Sequence, residues 1–135
     1  MAGAMSRNKG ANFERQVAVK FRRWFPLAKR GNQCRDGADC PDVILSYTEP
    51  AYYIECKRMK AEPYPGIYRT WRKKADRERD EWCRLNGLKN IPVIIVYKYD
   101  YYPIMVLLDF DCNIPWPVFK KSMDLKYLEA AHADN

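Results

Sequence analysis

Asp42, Glu55 and Lys57 are two carboxylates and an amine whose spacing could do chemistry, because short strands would bring them together. The residues around them read as two β-branched and aromatic runs, Val43 to Leu45 and Ala51 to Cys56, joined by the turn-forming Tyr47-Thr48-Glu49-Pro50. If those four residues form the loop of a β-hairpin, Ser46 pairs with Ala51, Ile44 with Tyr53, and Asp42 with Glu55. Strand periodicity then sends Glu55 and Lys57 to one side and Ile54 and Cys56 to the other. Carboxylates opposed with Cβ atoms about 5 Å apart repel at neutral pH, and one pKa is driven up. A divalent cation relieves that repulsion. Mg²⁺ takes one or two protein carboxylates and keeps several waters, which suits it to clamp a phosphate and activate water for in-line attack; Mn²⁺ is expected to substitute. Lys57 can orient or polarise that water while remaining charged.

The pattern Pro41-Asp42 followed by Glu55-Cys56-Lys57, with thirteen positions from aspartate to glutamate, resembles the PD-(D/E)XK nuclease signature. The preceding Lys9-Gly10-Ala11-Asn12-Phe13-Glu14-Arg15 is similar to a segment of the archaeal and phage Holliday-junction resolvases. The resemblance covers Lys9 to Lys57 by motif and the rest by element order. It implies a single restriction-endonuclease-like α/β domain over residues 9–135, with a central mixed β-sheet flanked by helices. It further implies metal held by Asp42, Glu55 and the backbone carbonyl of Cys56, with Glu14 as a third acid near that metal. A homodimer acting on branched DNA, with the four-way junction as substrate, follows from the same likeness. So does a cytoplasmic setting, that of the host if the chain is phage-encoded.

The elements that must position these residues can be read from periodicity. Residues 1–8 are small and polar, without a period, and are expected to be flexible. From Ala11 to Phe25 the apolar residues Phe13, Val17, Ala18, Phe21, Trp24 and Phe25 fall on one helical stripe. Glu14 projects into the middle of that stripe, where an unpaired carboxylate is costly. Pro26 ends the helix, and Leu27 to Gly31 reads as a first strand leading to a loop over 32–40. Arg30 and Arg35 are candidate phosphate contacts there. Asp36 and Asp39 are set aside as metal ligands because Asp42 alone is in register with Glu55.

Arg58 follows Lys57 and is counted with the DNA contacts. After a proline-containing loop, Ile67 to Leu85 predicts a helix with Ile67, Trp71, Ala75, Glu78, Trp82 and Leu85 on one stripe and Asn86-Gly87 as its stop. Its first half is basic, so Arg69, Arg72 and Lys73 are expected at phosphates. Ile91 to Tyr97 and Tyr102 to Leu108 read as strands covered on both faces. Tyr97, Tyr99, Tyr101 and Tyr102 surround the turn between them and suit either packing or base stacking. Beyond Pro115 and Pro117, a last helix is expected over Met123 to Ala131.

A length of 135 residues, 47% of them hydrophobic, suits one domain with one core. The net charge of +7 favours a polyanionic partner, and without a long apolar span or signal-like N-terminus a membrane is not expected. Five cysteines without a CxxC pair read as reduced thiols, and a zinc site at Cys34 and Cys40 is disfavoured because the one histidine, His132, lies in a polar tail. The expected activity is therefore a Mg²⁺-dependent endonuclease, first a Holliday-junction resolvase. Alternatives are a same-fold nickase, restriction or repair nuclease, or a non-catalytic basic DNA-binding module. An RNA-binding domain fits the charge but lacks an RNP, KH or zinc-knuckle signature.

Overall fold

The computed structural model describes residues 2–31, 40–62, 64–109 and 112–129, with side chains from 8 to 128 within those ranges. The chain begins with helix α1 (Ala2–Phe21), which starts well before the predicted Ala11. Residues expected to be flexible are therefore helical from Ala2. Ala, Met, Arg and Lys in this stretch are good helix formers, and a helix already nucleated by its packed half extends through them without an apolar period. The packed half buries Phe13, Val17, Ala18 and Phe21. Trp24 and Phe25 both donate backbone N–H bonds to the Phe21 carbonyl as the helix closes ahead of Pro26.

Six strands follow: β1 (Lys29–Arg30), β2 (Val43–Ile44), β3 (Tyr53–Met59), β4 (Val93–Tyr99), β5 (Met105–Leu107) and β6 (Asn113–Pro115). They lie side by side in sequence order as one mixed sheet. All neighbours are antiparallel except β3 and β4, which run parallel from Tyr53↔Val93 to Met59↔Tyr99. A parallel pair needs a crossover, and helix α2 (Ile67–Leu85) provides it with the bounds predicted from its stripe and its Asn86-Gly87 stop. Helix α3 (Trp116–Asp124) begins before the expected Met123 because Pro117 sits in its first turn, where a missing N–H costs nothing. A π-helical turn, Leu125–Glu129, continues it.

The helices cover both faces of the sheet. Phe13, Val17 and Phe21 of α1 and Trp116, Phe119 and Met123 of α3 pack with Val43, Ile54, Val96 and Val106. On the other face, Trp71, Ala75 and Trp82 of α2 pack with Tyr53, Val93, Ile95 and Leu107. This is a mixed α/β domain with a central sheet between helical layers, as the element order predicts. Among the described residues no helix is long and apolar enough to cross a membrane. Cys40 is disulfide-bonded, so the reading of five reduced thiols fails there; Cys56, Cys83 and Cys112 are free thiols.

Candidate active site

The β2–β3 pair brings the two carboxylates together through backbone accounting. Val43 pairs with Ile54, a register that places Asp42 opposite Glu55, as the hairpin count predicts. The loop is stabilised by Ser46, whose Oγ accepts the backbone N–H groups of Thr48 at 3.2 Å and Glu49 at 3.1 Å. Along β3 the backbone groups of alternate residues point to opposite edges: the Tyr53 N–H goes to the Pro92 carbonyl on the β4 side, while the Ile54 carbonyl accepts the Asp42 N–H at 2.8 Å. The Cys56 N–H, next on the β2 side, is taken instead by Asp42 Oδ2 at 2.8 Å. One side chain thus replaces a missing rung of the ladder and is held in place by it. By the same alternation the Cys56 carbonyl lies on the Asp42 edge.

Glu55 is 8% exposed and has neither a hydrogen bond nor an ion pair among the described residues. Burial, then the charges of Asp42 and Glu78, push its carboxyl up to about 9, with Lys57 and Lys74 opposing. Asp42 is pushed up to about 6, first by burial and then by Glu14 and Glu78, against the Cys56 N–H and Lys57. Two desolvated carboxylates whose affinity for protons is raised, Glu55 enough to stay protonated at neutral pH, would also favour a cation.

Glu14 lies on the α1 side of this pair. Its Oε2 accepts a bond from Arg30 Nε at 2.6 Å, which resolves why a carboxylate can sit in an apolar stripe. Arg30, predicted as a phosphate contact, is thereby engaged with Glu14.

The other predicted DNA contacts divide. Arg58 turns inward to the carbonyls of Met59 and Lys98 and to the Asp100 carboxylate at 2.7 Å. Arg72 donates to the carbonyls of Val93 and Leu108 and pairs with Asp76, its side chain 12% exposed. Both arginines tie elements together through these bonds, so their guanidinium groups are already engaged within the fold. Arg69 and Lys73 are exposed on α2. Arg35, with Asp36 and Asp39, lies outside the described residues.

Sequence reasoning missed Glu78 as a site residue. It belongs to the sheet-facing stripe of α2, between Ala75 and Trp82, and its charge reaches both Asp42 and Glu55. The same helix carries Lys74, 3.8 Å from Glu78 Oε1, whose charge also reaches Glu55. A carboxylate on an otherwise apolar stripe was the available signal, as it was for Glu14.

Among the described residues no three acids, histidines or cysteines converge as a ready metal-holding group. The donors that fit an ion are two carboxylates and the Cys56 carbonyl, an all-oxygen set that suits a hard cation retaining waters. Fold and site together define a mixed α/β domain that holds a desolvated carboxylate pair, with Lys57 further along β3, where β2 begins. No protein-family model, curated protein or solved structure shows a significant match to the chain.

Proposed function

We propose that this protein is a Mg²⁺-dependent DNA endonuclease of the PD-(D/E)XK type, acting on branched DNA as a homodimeric Holliday-junction resolvase. The observation that carries the reading is Asp42 opposed to a buried, unpartnered Glu55, with Lys57 two residues along the same face. The net charge of +7 supports a polyanionic substrate.

Asp42, Glu55 and the Cys56 carbonyl would hold the cation, which supplies the charge that lets both carboxylates ionise and lowers the pKa of an attacking water. Asp42 is already oriented by the Cys56 N–H, so little freedom is lost on binding. Lys57 orients the water and stabilises negative charge building on the phosphoryl oxygens. Glu14, fixed by Arg30, adds negative potential at the edge of the site and strengthens cation retention.

The test is Asp42→Asn assayed on a four-way junction and a matching linear duplex, with Mg²⁺ or EDTA. The unmodified protein should nick the junction in two opposing strands, because a two-fold dimer presents two equivalent sites. The variant should lose cleavage by several orders of magnitude while still binding DNA in EDTA. Near-original cutting by Asp42→Asn refutes the site, and equal cutting of linear duplex refutes the junction preference alone.

A further inference from the structure

The turn joining β4 to β5 presents two tyrosines to solvent, Tyr101 and the half-exposed Tyr102, and holds the first of them on a constrained backbone. Of its four tyrosines, Tyr97 is buried, and Tyr99 and Tyr102 lie against each other with centroids 4.3 Å apart. Tyr101 is fully exposed and has φ of 68°, a left-handed conformation that disfavours any residue with a Cβ and is rarest for bulky ones. The surroundings enforce it. The Asp100 N–H donates to the carbonyls of Met59 and Lys60, the Asp100 carboxylate pairs with Lys9 and Arg58 at 2.7 Å each, and the Tyr102 N–H donates to the Tyr99 carbonyl. Helix α1, strand β3 and the turn are therefore tied together around a ring that packs on nothing. Strain of this kind persists only where neighbours over-determine it, and it concentrates at binding sites.

The place of the turn fits the substrate proposed above. Lys57 pairs with Tyr97 and Met59 with Tyr99, so the turn lies at the end of β3 toward which Lys57 leads. Glu55 pairs with Ile95, and the four residues from there to Tyr99 span about 13 Å of strand. At about 3.4 Å of rise per nucleotide this is roughly four nucleotides of a DNA strand. Exposed Lys60, whose carbonyl accepts the Asp100 N–H, and half-buried Lys98 add positive charge at the ends of the strands that meet this turn. Tyr101 and the half-exposed Tyr102 together are still too little apolar surface to hold a second protein chain, but the free face of Tyr101 suits a base.

We propose that Tyr101 is a base-stacking residue, whose ring receives a DNA base that has come out of pairing at least about four nucleotides from the bond cut beside Glu55. The inference rests on the DNA-cleaving reading. It assigns the turn a part in recognising branched or unpaired DNA that the carboxylate site cannot provide.

The experiment compares the unmodified 135-residue chain with Tyr101→Gly and Tyr101→Phe by fluorescence anisotropy in EDTA, on a matched duplex, on the same duplex with one unpaired base, and on a four-way junction. Glycine accepts the positive φ, so Tyr101→Gly should keep or raise the melting temperature. It should bind the unpaired-base duplex and the junction roughly 10-fold more weakly than the unmodified protein, with binding to the matched duplex unchanged. Tyr101→Phe should restore binding to within about two-fold, because stacking needs the ring and not the hydroxyl. Equal binding by Tyr101→Gly and the unmodified protein, or an equal loss on all three substrates, overturns the proposal while leaving the nuclease reading intact. Failure of the unmodified protein to bind any of the three overturns both.

Discussion

A buried carboxylate without a partner should make stability depend on pH in a sense opposite to that of most acids. Burial, Asp42 and Glu78 lift Glu55 from 4.5 in the unfolded chain to about 9 in the folded one. The folded state therefore holds this proton more tightly than the unfolded state. Stability from this group is greatest below the unfolded pKa and falls as pH rises, levelling off once folded Glu55 ionises near the upper value. Between pH 5 and 8 the slope is about 1.4 kcal/mol per unit, or about 4 kcal/mol over the range. Asp42, raised from 3.8 to about 6, contributes in the same direction over the lower part of that window. The chain has a single histidine, so little else titrates there. At roughly 3 °C per kcal/mol for a domain of this size, the melting temperature in EDTA should fall by about 10 °C from pH 5 to pH 8. Glu55→Gln should remove more than half of that slope. Saturating Mg²⁺ should flatten it for the unmodified protein and do little for the variant. A melting temperature that is level from pH 5 to 8 without metal, or an unchanged slope in Glu55→Gln, would show that Glu55 is not a desolvated, uncompensated acid.

Glu78→Gln removes a like charge from both Asp42 and Glu55 but also an exposed ion pair with Lys74, so in EDTA at pH 8 it should stabilise by about 0.5–1 kcal/mol. It should weaken Mn²⁺ binding several-fold, measured by titration calorimetry; loss of stability without a change in Mn²⁺ affinity would make Glu78 a packing residue. Arg72→Gln leaves two carbonyls without their donor and should destabilise by about 2 kcal/mol in urea, with the salt slope of DNA binding unchanged. Lys73→Gln should do the reverse, sparing stability and flattening the slope of log K against log salt by nearly one unit. Identical behaviour of the two variants would refute that division of labour.

The hairpin was the most legible element because its register follows from counting. The count across an assumed four-residue loop gave the right register, Asp42 opposite Glu55, although the strands pair only as far as Ile44 and Tyr53 and the connection between them is longer; burial of one face forbids a slip by one position. Helix α2 was legible for a similar reason, with a stripe, a start after Gly66 and a stop at Asn86-Gly87. The start of α1 was not, since a solvated helical extension leaves no apolar period. Nor were β6 and the start of α3, where Pro115 and Pro117 read as breakers but occupy the end of a strand and the first helical turn. The arginines were the least legible residues at the site. Whether a guanidinium reaches outward or folds back onto carbonyls, as Arg58 and Arg72 do, depends on chain segments up to forty residues away. Glu14 and Glu78 carry the same signal on their helices, and it was recognised at only one of them because only α1 precedes the acidic motif.

The approach of β1 to the loop before β2 leaves no room at Gly31. A Cβ there would lie 1.8 Å from the Pro41 carbonyl oxygen, and the Gly31 N–H donates to the Asp42 carbonyl at 2.8 Å. The backbone that carries Asp42 is therefore located by a residue with no side chain, no charge and no part in the proposed reaction. Any substitution must push Pro41 and its neighbour off β3, and displacements of about 1 Å are enough to cost a catalytic group two orders of magnitude. In a random-mutagenesis screen for folded but inactive protein, Gly31 should therefore recur beside the acids themselves. Its side-chain-free position makes the site's tolerance of inherited change much narrower than the number of its charged groups suggests.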